Sequence, residues 1–534
     1  MSRTTRVLLS LRHFAVTWGL PDDFGGMTNV IFRRSAGFAS VGAPVTVLTF
    51  DDRLDTVDAV ARLRQRGVVA PGVDVLHLWD WLAANPLRPT ARTADLPFDP
   101  LPAENSDGTD AAGGSNATGA TDATDSTDST DGSGGTDARI VAITDAHGVV
   151  RRRERRAPDG SVLQVDRYRP DGSLLASDLR DTDERGRPGG RSVVVCGPDG
   201  APVRGWTTIW GLYRHWIDVL TARKPSMIVV DSKTAARFMH GYRRDHVAVV
   251  HVVHSAHRSG DGDAGRALKA SRRSTLEHAE EFDAVVALTE RQRLELVADV
   301  SPAAHIVAVP NAGAFDALSD APVERDADSG VVLASLTSRK RVEHAIVAAA
   351  RAGARLDVYG DGPERAALQQ QVAGLDARAA VSLRGHRPDA SLTFRDASFS
   401  LLTSTSEGAP LVLVESMAAG CIPIAYDIRY GPRDIITDGV DGFVVAPGDP
   451  DAMAATIAGF VALPERKRRR MRRAARRSAS RYGQSRVTDQ WAALFDDIVR
   501  RRWPVPATER VRRRARSGVR VVRSRMRGMR RRLR

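Results

Sequence analysis

The sequence predicts an α/β protein of two doubly wound halves, with a β-rich insert in the first half. Three observations carry that prediction. Residues 399–426 read as strand, loop, helix, strand. Residues 6–50 read as strand, glycine loop, helix, strand. Residues 139–205 read as short alternating runs between Pro-Asp-Gly turns. At 534 residues the chain is too long for one core and suits two or three domains. No run of eighteen apolar residues marks a membrane span.

At the N-terminus, Arg6–Leu11 (RVLLSL) is predicted as the first strand. Arg12 and His13 break its apolar run, so it reads as a strand and not a signal peptide. A loop ending in Gly25-Gly26 follows, then a helix near Met27–Val41 and a strand over Val45–Phe50. This is the ligand-facing opening of a Rossmann-like half, where glycines let a ligand approach the backbone. A Gly-Gly pair by itself is more often an ordinary turn. Ser226–Asp231, Val247–His251 and Ala284–Leu288 are further β-branched strands. His254 and His257 follow the second of these, either as cleft hydrogen-bonding groups or as surface loop histidines.

Residues 103–138 consist of Thr, Asp, Ser, Gly and Ala, with a TDATDSTDSTD repeat. Such a segment buries too little apolar surface to fold and is predicted to be a disordered acidic linker. Residues 139–205 carry Pro-Asp-Gly turns at 158–160, 170–172 and 198–200, which predict an antiparallel meander. Its exposed edges invite pairing with a second copy; a monomeric decoration is the plainer alternative.

In the second half, Gly330–Leu336 is a predicted strand and Arg341–Ala352 a helix, with TSRK between them. Lys340 at that turn is placed to neutralise a diphosphate. Strands over Leu356–Gly360 and Val381–Gly385 lead to GDGPER and to His386. Phe399–Thr403 is a buried strand ending in the polar loop 404–409. Pro410 suits the first helical position, and Gly420 ends the helix. Ile422–Tyr426 is the next strand. In such sheets ligands bind beyond the carboxyl ends of the strands, and the free N–H groups of a helix start favour anions. Glu407 in the loop suits hydrogen bonds from sugar hydroxyls, and Glu415 suits a bidentate grip on ribose hydroxyls. Two glutamates eight apart are, on their own, more often solvated helix charges. An amphipathic helix over 483–499 closes this half.

The formal charge of +13 is a property of the tail. Residues 500–534 contain sixteen Arg and one Glu, leaving the rest close to neutral. Val511, Ala515, Val519, Val522, Met526, Met529 and Leu533 form an apolar stripe among these arginines. This is a basic amphipathic pattern, suited to an anionic membrane surface or a polyanion. A solvated tail and a nucleic-acid contact are the alternatives, and no recognition fold accompanies the latter. Cys196 and Cys421 are isolated and lack metal-ligand spacing, which fits a reduced cytoplasmic setting.

The string SEGAPLVLVESMAAGCIPIAYD, followed by GPRDIITDGVDGFVV, closely resembles the donor-binding signature of family 4 retaining glycosyltransferases. That resemblance implies the GT-B fold, two Rossmann-like domains facing a cleft. It implies that Glu407 contacts the donor sugar and Glu415 the ribose, that His254 (with His257 weaker) lines the donor sugar, and that Lys340 meets the diphosphate. Gly25, Gly26, Arg339, Arg341, His386, Gly408, Ala409, Pro410 and Leu411 complete the implied donor site. The family carries an arginine five residues before the lysine; here that position is Ser335, with Arg339 or Arg341 as substitutes. Charge neutralisation by side chains implies no metal and no cofactor beyond the nucleotide-sugar substrate.

The string FGGMTNVIFRRSAGFASVGAPVTVLTF resembles the start of a narrower group, the poly(glycerol-phosphate) and wall teichoic acid α-glycosyltransferases and enzymes that modify serine-rich proteins. VAVPN at 307–311 resembles the family's strand into the interdomain hinge.

The implied organisation is a first domain over 1–84 and 206–318, a linker over 85–138, the β insert over 139–205, a donor-binding domain over 319–482, a return helix over 483–499 and a tail over 500–534. The implied function is transfer of a hexose or N-acetylhexosamine, from a UDP-linked donor, to a hydroxyl of a cell-envelope polymer or protein. The alternative is a non-catalytic sugar-nucleotide or polyanion-binding scaffold. The expected location is cytoplasmic, peripheral at the inner face of the plasma membrane through residues 504–534, with homo-oligomers formed through the insert.

Overall fold

The computed structural model describes residues 3–20, 26–89, 96–102, 138–180, 191–259, 267–313, 315, 324–376 and 380–504. Gly25, the acidic run 103–137 and the tail from 505 onward lie outside the described residues.

The first sheet opens with β1 (Arg12–Val16), β2 (Val45–Thr49) and β3 (Val73–His77). The insert follows as β4 (Arg139–Thr144), β5 (Val150–Arg156), β6 (Val162–Tyr168), β7 (Leu174–Leu179), β8 (Ser192–Cys196) and β9 (Pro202–Trp206). The first sheet then resumes as β10 (Ser226–Val230), β11 (Val247–Val253), β12 (Ala284–Ala287) and β13 (Ile306–Ala308). The second sheet comprises β14 (Ser329–Leu333), β15 (Arg355–Tyr359), β16 (Val381–Gly385), β17 (Phe399–Leu402), β18 (Ile422–Tyr426) and β19 (Phe443–Val445).

The first sheet is wholly parallel, in the order β13-β12-β11-β10-β1-β2-β3. Strands such as SMIVV and VAVVHVV are buried along their whole length, because helices cover both faces of such a sheet. The strand order reverses between β1 and β10. The second sheet, β16-β15-β14-β17-β18-β19, is also parallel and reverses between β14 and β17. Each sheet therefore has one switch point, the place where doubly wound folds bind ligands.

The first strand is not where the sequence places it. Arg3–Ser10 is a helix, and β1 begins at Arg12. A strand with parallel neighbours on both sides must be apolar on both faces. His13–Val16 is fully buried, whereas Leu9 is 43% exposed. Leu8 packs instead in a core shared with Val487, Leu494 and Phe495 of the helix Gln484–Arg502. That helix returns to the first domain with Val487, Trp491, Leu494, Phe495 and Ile498 buried beside Ile31 and Phe38. Gly37 permits the approach, since a Cβ there would stand 2.1 Å from Gln484 Nε2 and 2.4 Å from Thr488 Oγ1.

The insert is a six-stranded antiparallel meander, each strand pairing with its sequence neighbour. The three Pro-Asp-Gly turns work as expected. Asp159, Asp171 and Asp199 accept the N–H two residues on, at 2.8, 2.9 and 3.1 Å, and Gly160, Gly172 and Gly200 take positive φ of 85°, 82° and 75°. The insert is fused to the first domain. Leu175, Ala176, Val193 and Val195 share a core with Leu212 and Trp216. Arg167 donates to Asp52 at 2.8 Å and lies 3.9 Å over the Trp79 ring. Among the described residues no helix is long and apolar enough to cross a membrane.

Candidate active site

At the second sheet's switch point, two loops meet. One follows β14 and carries Arg339 and Lys340; the other follows β17 and carries Glu407 and Gly408. Backbone and side chain lock them together. Thr405 N donates to the Arg339 carbonyl at 2.8 Å, Thr403 Oγ1 to the Lys340 carbonyl at 2.9 Å, and an Arg339 guanidinium nitrogen to the Ser406 carbonyl at 2.8 Å.

Glu407 is the hub. Its Oε1 accepts from Lys340 Nζ at 2.6 Å and Ser404 Oγ at 2.7 Å, and pairs with Arg339 at 3.1 Å. Burial alone would raise its pKa; the charges of Lys340 and Arg339 outweigh that and hold the carboxyl below its usual value. Its backbone pairs both ways with residues 429–430, Glu407 N to the Arg429 carbonyl and Tyr430 N to the Glu407 carbonyl, each at 2.9 Å.

The helix after this loop is Leu411–Ala419, one residue later than expected. Pro410 takes φ −73° and ψ 97°, so it caps the helix instead of starting it. Gly420 ends it in the left-handed region, φ 77°. Glu415 lies in the second turn, half-buried.

The first sheet brings up the opposite wall. Asp231 follows β10 and His254 follows β11, both at carboxyl ends next to the switch point. Asp231 accepts a bidentate pair from Arg34 at 2.8 and 2.6 Å, and its Oδ1 lies 2.8 Å from His254 Nε2. Its side chain is fully buried. Burial would raise its pKa, but Arg34 and then His254 hold it well below the usual carboxylate range. Sequence reasoning did not select Arg34 or Asp231; the only signal was an acid closing the SMIVVD strand.

The walls touch at Gly408. A Cβ on Gly408 would stand 2.0 Å from the His254 carbonyl oxygen and 3.1 Å from Ser255 Cα. The glycine exists for that approach. Further along, Tyr430 donates to Glu295 at 2.6 Å and stacks on His257 with centroids 5.6 Å apart.

The remaining expected site residues fall in several places. His257 is buried, with Nε2 3.1 Å from Asp299, and burial lowers its pKa to about 4; its surroundings are those of an interdomain joint. Arg339 joins Glu407, but Arg341 does not. Arg341 adopts a left-handed φ of 44°, and its guanidinium lies beside Gly448. Ser335 is exposed. His386 is exposed at the end of β16, two strands from β14. Gly26 opens the helix Gly26–Ser40, with nothing within 4 Å of an added Cβ. The glycines of GDGPER have a packing role: Gly360 and Gly362 would drive a Cβ to 1.8 Å from the Ala334 carbonyl and 2.4 Å from that of Leu336. Among the described residues the one cluster with metal-ligand character is His240, His278 and Glu281, none of which belongs to either wall.

Residues 326–478 match the family described as Glycosyl transferases group 1. The chain is 34% identical over 231 residues to the exopolysaccharide phosphotransferase SCO2592 of Streptomyces coelicolor, covering 41% of this chain and 24% of that protein. It is 22% identical over 305 residues to the poly(glycerol-phosphate) alpha-glucosyltransferase of Bacillus subtilis, covering 54% and 44%. The matched part thus spans less than half of either curated relative. Among solved structures, Staphylococcus aureus TarM, a variant crystallised with fondaparinux, alpha-GlcNAc-glycerol and UDP, superposes with a TM-score of 0.68 at 18% identity, over 91% of this chain and 99% of that one. The chain has the GT-B fold.

Proposed function

We propose that this chain is a retaining family 4 glycosyltransferase that moves a hexose or N-acetylhexosamine from a UDP-linked donor to a hydroxyl of a cell-envelope polymer or protein. One observation carries the reading. Two switch points face each other, Lys340, Arg339 and Glu407 on one side and the Asp231-held His254 on the other, in contact at Gly408. The glycosyl transferases group 1 match covers the donor half, and the relatives' names supply the acceptor class.

On this reading Lys340 and Arg339 meet the donor diphosphate, with the 408–411 backbone, so that charge developing on the leaving group is stabilised by groups already in place. Glu407 accepts from the sugar hydroxyls and Glu415 from the ribose. Asp231 binds His254 through Nε2, which leaves Nδ1 as the ring's other hydrogen-bonding atom for the sugar. Domain closure aligns the acceptor hydroxyl with the anomeric carbon. The hydroxyl attacks from the leaving-group face and the β-phosphate oxygen takes its proton, so no protein nucleophile and no metal is required.

The decisive experiment is UDP release from a panel of UDP-sugars. Glu407→Ala and Lys340→Ala are expected to abolish it while the chain stays folded, with the parent's circular dichroism and a cooperative melt. Full activity in either variant sinks the assignment. Ser335 favours a second reading, a non-catalytic sugar-nucleotide binder; UDP binding without release from any donor would establish it. We further place the protein in the cytoplasm, peripheral on anionic membrane through its basic tail. Among the described residues the insert's outer strands β4 and β9 each pair with one neighbour, which supports self-association. Light scattering that shows only monomer at micromolar concentration would exclude it.

A further inference from the structure

Five arginines are buried among the described residues: Arg34, Arg167, Arg169, Arg272 and Arg472. Four have matched partners. Arg34 has Asp231, Arg167 has Asp52, Arg472 has Glu465, and Arg169 donates to the carbonyls of Leu174, Cys196 and Gly197. Arg272 is different. It is 8% exposed, and among the described residues it makes one hydrogen bond, to Ser255 Oγ at 2.7 Å, and pairs with no carboxylate. Burial alone pulls its pKa down to about 10. A guanidinium removed from water without a counter-charge is costly to the fold.

Its position gives that cost a purpose. Ser255 follows His254 directly, and both are the residues against which Gly408 is pressed. The Arg272 side chain is thus fastened to the point where the two walls of the cleft meet. Lys269, which caps the same helix, Ala270–Leu276, is half-buried. Burial lowers its pKa, and the charges of Arg272 and Arg339 lower it further. Arg339 belongs to the other wall. Its charge is felt at Lys269 across the Gly408 contact, and Arg339 and Lys340 are both paired with Glu407.

Resting on the proposed reading of the cleft, we infer that Lys269 and Arg272 form a phosphate-binding subsite on the N-terminal wall, opposite Arg339 and Lys340. The ligand chemistry follows from the donors. A planar guanidinium fork with unused N–H groups grips two oxygens of a phosphate, and an ammonium beside it adds a point charge. Two sources supply such a group: the diphosphate of a nucleotide sugar, or a phosphate on the acceptor.

Isothermal titration of the full chain reads the subsite with three probes: UDP, uridine, and glycerol phosphate added at saturating UDP. If the donor diphosphate occupies it, Arg272→Gln lowers UDP affinity at least about tenfold and leaves uridine affinity within twofold. If an acceptor phosphate occupies it, the same loss falls on glycerol phosphate and UDP affinity holds. Lys269→Ala, at a half-buried position, lowers the same affinity severalfold. It decides the matter alone if Arg272→Gln melts well below the parent. Arg272→Lys recovers part of the loss, because charge without the fork is retained. The inference is overturned if Arg272→Gln and Lys269→Ala bind all probes within twofold of the parent, or if the parent binds neither UDP nor glycerol phosphate. Turnover is read separately. Phosphate binding that depends on Arg272, with no UDP released from any UDP-sugar, would remove the proposed activity and leave the subsite standing.

Discussion

Asp231→Asn is the perturbation that tests most of the first domain at once. The Asp231 side chain is fully buried and that of Arg34 is 5% exposed, with the closest pair at 2.6 Å. Asparagine keeps the shape and one acceptor oxygen but removes the charge. Arg34 is then a buried cation without a counter-ion, and His254 loses its charged partner. Breaking a buried pair from one side costs about 3–5 kcal/mol. At roughly 2–4 °C per kcal/mol for a domain of this size, the melting temperature is expected to fall by about 6–20 °C. Arg34 also lies 5.1 Å over the Trp491 ring, so the loosening reaches the return helix.

The pH dependence carries a sign. The Asp231 carboxyl is held below its unfolded value of about 3.9. Its contribution is therefore complete above that value and is lost as pH falls towards the depressed native value. The parent is expected to lose stability through that acid window, and the variant to lose less. The assay is urea unfolding followed by tryptophan fluorescence at pH 7 and through the acid range, paired with UDP release, which is expected to drop at least about tenfold as His254 loses its orientation. A variant within about 1 kcal/mol of the parent at pH 7, with unchanged UDP release, refutes the argument.

Three further outcomes are expected. Gly408→Ala places a methyl 2.0 Å from the His254 carbonyl, so the walls must part; UDP release falls by more than about tenfold with a melting shift of only a few degrees, and wild-type turnover refutes it. His77 is pushed up to about 10, since hydrogen bonds to Asp51 and Asp80 outweigh burial; stability from this site is complete below about pH 6.5 and lost as pH rises through 10, and His77→Gln flattens the alkaline arm of a denaturation series. Deleting 505–534 is expected to abolish salt-sensitive sedimentation with phosphatidylglycerol vesicles; retained sedimentation refutes the tail as the membrane contact, and loss of DNA binding alone favours the nucleic-acid alternative.

What was legible in the sequence was local. The segment 399–426 folds within a residue or two of expectation, because a short apolar run, an extended polar loop and a left-handed Gly420 leave few alternatives. The Pro-Asp-Gly turns are equally self-contained. What was not legible depends on distant partners. Arg34 and Asp231 are 197 positions apart, and neither stands out beside its neighbours in sequence. The helix Arg3–Ser10 is decided by the return helix, more than 470 residues later, against which Leu8 packs. Arg272 is informative only because no carboxylate among the described residues pairs with it, which no motif encodes.

The arrangement around Glu407 has a consequence for how binding and recognition are coupled. Lys340 and Arg339 share one oxygen, Glu407 Oε1, with Lys340 and Glu407 only 17% and 12% exposed. On the proposed reading a diphosphate competes for both cations. Each contact it gains loosens one of Glu407's, and the carboxylate so released is the group that accepts from the sugar. Phosphate grip and sugar grip are then a single exchange. Lys340→Ala and Glu407→Ala are accordingly expected to be strongly non-additive, the double variant being little worse than either single one. The same exchange lets Ser335 stand in the loop without leaving the diphosphate unmet. Arg339 is already in place on Glu407, and on the reading in which the donor diphosphate fills the proposed subsite, Arg272 adds charge from the second wall.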